Sequence, residues 1–278
     1  MVKVIYQDNY LLVMDKPPGL VVTSSETQKE ETLEDILKSQ FSLNLERGGI
    51  VHRLDKDTSG VMLVAKTLTA LENLQNQFKE RLIKKEYLAL VHGWVAESGR
   101  VDAVIGRNPK NREKFTVLLG FTSKESKPPG ESFRLPSALR ARPFEVFTGG
   151  REAVTEYEPL ERLQFTGNRL QEIFSNFNKI QMRKLYTVQY NLFTLLRCKP
   201  KTGRTHQIRV HLKYINHAIV ADEKYGGRKM VRLDKRWCPR MFLHAARIGF
   251  RHPVSGEWME LESELPEDLE KAFQQLSS

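Results

Sequence analysis

The stretch His52-Arg53-Leu54-Asp55-Lys56-Asp57-Thr58-Ser59-Gly60 runs directly into Val61-Met62-Leu63-Val64-Ala65. The second run is apolar without a break and reads as a buried strand. A polar, turn-rich loop is thus mounted on a central strand, with its backbone held from below and its side chains at the rim. Asp55 sits between Arg53 and Lys56. Nearby cations favour the ionised form of a carboxylate, and such a carboxylate serves as nucleophile, base or metal ligand. The competing reading is a turn aspartate that caps local N–H groups. For Asp57-Thr58-Ser59-Gly60 that reading is the natural one. For Asp55 the residues alone leave both open.

Outward from this loop, residues 2–6 and 11–14 make two short β-type runs around a turn at Asp8-Asn9. Lys16-Pro17-Pro18-Gly19 ends the second, because proline removes a ladder donor. Thr32 to Leu37 looks like a capped helix start, with Leu33, Ile36 and Leu37 on one face. Thr69-Ala70-Leu71-Glu72 reads as a capping box opening a helix that carries Leu71, Leu74, Phe78 and Leu82. Residues 87–91 read as the next strand. Residues 204–212 admit a strand, since Ile208, Val210 and Leu212 alternate, or a helix through Ile208, Leu212 and Ile215. The length favours the helix, with Thr205 as N-cap and Asn216 near its stop. Lys201-Thr202-Gly203-Arg204 would then precede a helix N-terminus, where free N–H groups favour a phosphate.

Residues 118–148 carry Lys127-Pro128-Pro129-Gly130 and several arginines and read as a long basic insert. Residues 165–183 read as a second irregular insert, docked on the body through Phe165, Ile173, Phe174 and Phe177. Residues 265–276 read as an acidic amphipathic helix. No internal repeat stands out.

The chain has 278 residues, 40% of them hydrophobic and 28% charged. That is the composition of an ordinary soluble globular protein with room for a sizeable core. No apolar run approaches the roughly 18–20 residues that span a bilayer, and the start lacks the marks of a signal or transit peptide. Cys198 and Cys238 suit neither a zinc site nor a disulfide framework, so reduced, structural cysteines in a cytoplasmic protein are expected. The formal net charge is +10, which favours polyanionic partners by counterion release. Its distribution says more. Residues 195–217 hold Arg197, Lys199, Lys201, Arg204, Arg209 and Lys213 with no acid, while residues 257–278 set seven acids against Lys271. A nucleic-acid face and a solvated back face would produce that segregation.

Other chemistries fit poorly. His52 and Asp55 are three apart and His206 and His211 five apart, but no Cys/His cluster has ligand spacing, so no metal is expected. There is no Gly-x-Ser-x-Gly elbow, and Lys201–Arg204 lacks the glycine frame of a nucleotide loop. Histidines 52, 206, 211, 217, 244 and 252 read as structural or RNA-contacting rather than as acid–base catalysts.

The 52–60 stretch resembles the signature of the RluA-type RNA pseudouridine synthases. The likeness extends to Lys16-Pro17-Pro18-Gly19, Lys85-x-Tyr87, Thr202 through Leu212, Asp222-x-x-Tyr225-Gly226 and Leu243-His244-Ala245, in the family's order. It spans about residues 3 to 262. Asp15 and Ala221 depart from it, standing where the family usually has Asn and Gly.

The resemblance implies an α+β fold, with a long, mixed, mostly antiparallel, bent sheet in two halves, a cleft between them, and flanking helices and loops. A single catalytic domain over 1–278 is expected, monomeric, without an obligate protein partner, without an S4-type domain, and free of cofactor. Asp55 matches the family's nucleophile, Tyr87 the aromatic that packs over the target uracil and can serve in proton removal, and Arg209 the basic residue that pairs with the aspartate. Arg53 matches the residue that displaces or replaces the flipped base. Thr202, Gly203, Arg204, His206 and Gln207 match the loop lining the RNA side, and Lys56, Thr58 and Lys85 join the RNA-contacting set. The implied activity is isomerisation of uridine to pseudouridine in rRNA or tRNA. Phosphate contacts would come from 195–217 and from Arg107, Lys110, Arg112 and Lys114. Two other readings are an inactive RNA-binding or ribosome-assembly protein of the same fold, and a nuclease. Intact Asp55, Tyr87 and Arg209 weigh against the first, and the absent ligand spacing against the second.

Overall fold

The structure, a computed structural model, describes residues 2–23, 30–109, 111–118, 150–165, 167–187 and 189–277. Most of the expected basic insert at 118–148, and Lys110, lie outside the described residues.

Asp8 folds the N-terminus back on itself. Its carboxylate accepts the N–H groups of Tyr10 and Leu11, both at 2.7 Å, in an Asx turn. Strand β1 (Lys3–Gln7) thereby pairs antiparallel with β2 (Leu11–Lys16). Antiparallel to β2 runs β3 (Ser59–Ala65), buried at every residue. Helix α1 (Leu33–Phe41) begins at the expected cap, with Thr32 and Asp35 forming a capping box. Helix α2 (Leu68–Lys79) corrects the expectation. Its cap is Thr67, whose hydroxyl accepts the Ala70 N–H at 3.2 Å. The chain must turn as soon as β3 ends at Ala65, so the cap falls two residues early. The helix also stops at Lys79, which leaves Leu82 outside it and 49% exposed.

The remaining strands are β4 (Lys84–His92), β5 (Gly99–Asn108), β6 (Asn111–Val117), β7 (Arg151–Gln164), β8 (Leu192–Pro200), β9 (Leu243–Arg251) and β10 (Trp258–Glu262). Residues 165–183 are not irregular. They hold α3 (Gly167–Ile173) and the start of α4 (Lys179–Thr187). Their periodicity is too short to read, because each helix is only about two turns long and its shape comes from docking. The docking itself is as expected: Phe165 and Phe174 are buried, and Ile173 and Phe177 pack against the same core. The helix reading of 204–212 holds as α5 (Gln207–Tyr214). Its cap is His206, with φ +55° and no side-chain cap bond, rather than Thr205. After α6 (Arg228–Asp234), the chain closes with α7 (Glu267–Phe273).

The strands lie in one sheet, in the order β1-β2-β3-β9-β4-β8-β7-β5-β6, with β10 on β9. Only β3 and β9 run parallel among the described pairs, and they share two register positions, Ser59↔His244 and Gly60↔Ala245. Beyond them β10 pairs with β9, from Arg247 to Arg251. The sheet therefore carries two large cores, one gathering α1, α2 and β1 to β3, the other gathering β4, β8 and the C-terminal helices, and a small third cluster of Ile105, Ala153 and Val210. Tyr87 packs against both large cores. Gly60 makes the junction possible. Its φ is +117°, and a Cβ there would stand 2.2 Å from the Ala245 carbonyl oxygen.

Candidate active site

A cleft of about 540 Å³ opens over that junction, within the size range of sites that take one small molecule. Asp55 enters it from the loop before β3, Tyr87 from β4, and Arg209 from α5. Asp55 is a cleft carboxylate and not a turn cap. Its backbone carbonyl closes the turn by accepting the Thr58 N–H at 3.1 Å. Its side chain takes a 2.7 Å hydrogen bond from Arg209 Nη1 and stays 20% exposed. The carboxylate of Asp57, expected to cap this turn, is exposed and accepts no hydrogen bond among the described residues.

Arg209 is held from behind. Its Nε and Nη2 both donate at 2.8 Å to Asp222, which is fully buried and also accepts the N–H groups of Lys224 and Tyr225. The guanidinium lies 5.1 Å from the Tyr225 ring centroid. Burial opposes the arginine's charge, but the hydrogen bonds and charges of Asp222, then Asp55, outweigh it and raise its pKa. Such a fork, bidentate on one carboxylate, fixes the direction in which Nη1 is aimed.

Tyr87 stands at a break in register. Between Glu86 and Tyr87 the pairing with β9 shifts by one residue, and such bulges re-aim side chains. Burial, then the nearby Asp55, raises the Tyr87 pKa, so the phenol keeps its proton at neutral pH. Burial lowers Lys85 to about 8 and His206 to about 4. His206 Nδ1 meets the Tyr225 hydroxyl at 2.9 Å.

Two anchors grip the Asp55 loop. Lys16 is fully buried and donates to the carbonyls of Pro17, Leu20 and Lys56 at 2.7, 2.9 and 2.9 Å. Burial pushes its ammonium down to about 7. Gly19 N–H adds a second bond to the Lys56 carbonyl. From the other side, Arg240 donates to the Asp57 carbonyl and Ser59 Oγ while paired with Asp268 of α7. His244 Nε2 meets the Ser263 carbonyl, which only an N–H can satisfy, so its Nδ1 accepts from Ser59 Oγ at 3.0 Å.

The chain also matches a known family and known structures. The model for the family RNA pseudouridylate synthase covers residues 10–214. The chain belongs to that family. It is 34% identical over 277 residues to an uncharacterized RNA pseudouridine synthase of Bacillus subtilis (strain 168), covering 98% of this chain and 71% of the relative. It is 34% identical over 285 residues to the ribosomal large subunit pseudouridine synthase D of Xanthomonas campestris pv. campestris, covering 98% and 69%. The fold is shared with the human RNA pseudouridylate synthase domain containing 4, at a TM-score of 0.65 and 22% identity over 99% of this chain and 94% of that one. The protein is thus an RNA pseudouridine synthase enzyme.

Of the residues expected to serve this synthase, all but one line the cleft. The exception is Lys56, whose Nζ turns outward to Glu30 at 3.3 Å. Arg53 is exposed at the rim, and Thr58 Oγ1 is buried without a hydrogen-bond partner among the described residues. Thr202 and Gln207 are buried and spend their polar atoms on the scaffold. Thr202 Oγ1 accepts the Val154 N–H and donates to Gln207 Oε1, while Gln207 Nε2 donates to Val154 O and Thr155 Oγ1.

The basic run 195–217 is also less free than its sequence suggests. Arg197 and Lys199 meet Glu86 and Glu158, Lys201 meets Glu156, and Arg209 meets Asp222. Neighbouring strands supply the acids the segment lacks. Sequence reading assigned no role to Asp222, Tyr225, Lys16 or Arg240. The first three lie in the quoted motifs, but nothing local says which partner each one serves. Among the described residues, no three of His, Cys, Asp or Glu come together to hold a metal ion, and no helix is long and apolar enough to cross a membrane. Both cysteines are free and buried.

Proposed function

We propose that this enzyme converts uridine to pseudouridine in large-subunit ribosomal RNA, with Asp55 as the catalytic carboxylate. The chain Asp222–Arg209–Asp55 carries the reading. It fixes one carboxylate at the floor of a nucleotide-sized cleft and leaves its second oxygen unoccupied. The reaction breaks the bond from uracil N1 to ribose C1′, turns the base, and joins C5 to C1′. The proton lost from C5 balances the one gained at N1, so no oxidant, reductant or water is consumed. Asp55 acts either by attack on C1′ or by removing the C2′ proton to give a glycal. Tyr87 stacks on the uracil. Burial and the nearby Asp55 favour its neutral phenol over the phenolate in the free enzyme. The target must first leave its stack, at a cost of a few kcal/mol, and phosphate contacts around the cleft supply that energy. Ribosomal RNA is favoured over tRNA by the relatives named as large-subunit synthases. We place the enzyme in the cytoplasm, as a single catalytic domain acting as a monomer without a metal.

Pseudouridine mapping of rRNA and tRNA from cells with and without the gene tests this. A large-subunit site should disappear in the deletion. An unchanged map defeats the reading. In vitro, Asp55→Asn should abolish product and hold RNA affinity within several-fold; turnover by that variant would remove Asp55 from its role.

A further inference from the structure

One wall of the cleft is built by the corner between α2 and β4. Here α2 ends in a full Schellman turn: Leu82 N–H reaches the Gln77 carbonyl at 2.9 Å and Arg81 N–H the Phe78 carbonyl at 3.2 Å. The left-handed residue of such a turn is ordinarily glycine. This chain places Arg81 there, at φ +60°. The strain is local and unrelieved, since the Arg81 side chain makes no ion pair or hydrogen bond among the described residues. Its side chain lines the cleft, as do those of Lys79 and Arg53. All three are exposed and free of acidic partners among the described residues. The cations of the basic run differ, because acids of β4 and β7 already occupy Arg197, Lys199 and Lys201. Exposed Leu82 adds an apolar shelf beside the charges.

We propose that the corner Lys79–Leu82 is a phosphate clamp for the RNA strand flanking the target uridine, with Arg81 held in a strained conformation to aim its guanidinium across the cleft mouth. A nucleotide that enters the cleft splays its chain, so its flanking phosphates part. Arg204, near the N-terminus of α5, and Arg81, Lys79 and Arg53 all line the cleft that those phosphates would meet. Unpaired cations cost nothing to release from a partner, so they meet phosphate at full effect. This rests on the cleft being the RNA site.

The test uses the full chain with Asp55→Asn as background, so that binding is read without turnover, and a fluorescein-labelled stem–loop RNA with a uridine loop. Arg81→Gly should raise Tm, because it removes the left-handed strain, yet weaken binding. A merely structural arginine would move both together. The slope of log affinity against log salt should shrink by about 0.7 for Arg81→Gly and by a similar amount for Lys79→Ala. Unchanged affinity and slope in both variants overturn the clamp. If Arg81→Gly loses Tm, the decision passes to Lys79→Ala, on an exposed helix position: a reduced slope supports the clamp and an unchanged one overturns it. Loss of salt-dependent binding by the background protein itself defeats instead the reading of the cleft as an RNA site.

Discussion

Arg209 commits three nitrogens to carboxylates, Nε and Nη2 to Asp222 and Nη1 to Asp55. A lysine would keep the charge and lose the fork. Arg209→Lys should therefore lower the rate of product formation by about 100-fold, since small misplacements of a reacting group cost that much, with little change in RNA affinity. A rate within a few-fold of wild type, in single-turnover measurements, would show that Asp55 needs no such aiming. Ala221 precedes Asp222 and carries φ +56°. Its N–H is held at 2.8 Å by the buried carboxylate of Asp234, which also meets His92 and Tyr190. The family's usual glycine would sit there without strain. Ala221→Gly should stabilise the fold by about 1 kcal/mol, raising Tm by about 2 °C. A lower Tm in calorimetry would contradict it. The departure at this position was visible in the sequence; its backbone cost was not, because φ is set by the turn into Asp222.

At the scale of elements, the junction of β3 and β9 decides the site. Parallel contact over two residues, with Gly60 pressed against Ala245, holds the two cores against one another beneath Asp55. Gly60→Ala should cost about 3 kcal/mol, read as a shift of the urea midpoint, with loss of activity beyond the loss of stability. Retained stability would show that the strands can part freely. The strands themselves were legible. β3 is unbroken apolar sequence, and Asp8 and Lys16-Pro17 bound β2. The caps were less so. Thr69 and Thr205 satisfied the local pattern, yet Thr67 and His206 hold the positions, because helix starts follow from where the preceding strand releases the chain. The acidic last helix was also legible as a helix. Its Asp268 is not mere solvated charge: through Arg240 it ties α7 to the Asp57 carbonyl and Ser59.

For the whole molecule, burial sets the response to pH. His52, His206 and His211 are pushed down by burial to about 3, 4 and 4, from an ordinary value of 6.5. His52 Nε2 accepts the Leu63 N–H at 2.9 Å and so must be neutral. Between pH 4 and 6.5 the unfolded chain binds more protons than the folded one. Stability is therefore intact above about pH 6.5 and falls as the pH drops toward 4, by up to about 1.4 kcal/mol per pH unit for each histidine. Urea unfolding at pH 5 and 7 reads this; a flat profile would mean these histidines are not neutral in the fold. The sequence by itself determined the family, the α+β class, the Asp55 loop and the strand it stands on, because these are set by short-range pattern and by motifs read in order. Only the tertiary structure decided that Asp55 faces a cleft, that Asp222 aims Arg209, that Lys56 turns away, and that most cations of the 195–217 run are already neutralised. Each of those depends on side chains that lie apart in the sequence and meet only once strands, helices and turns have packed.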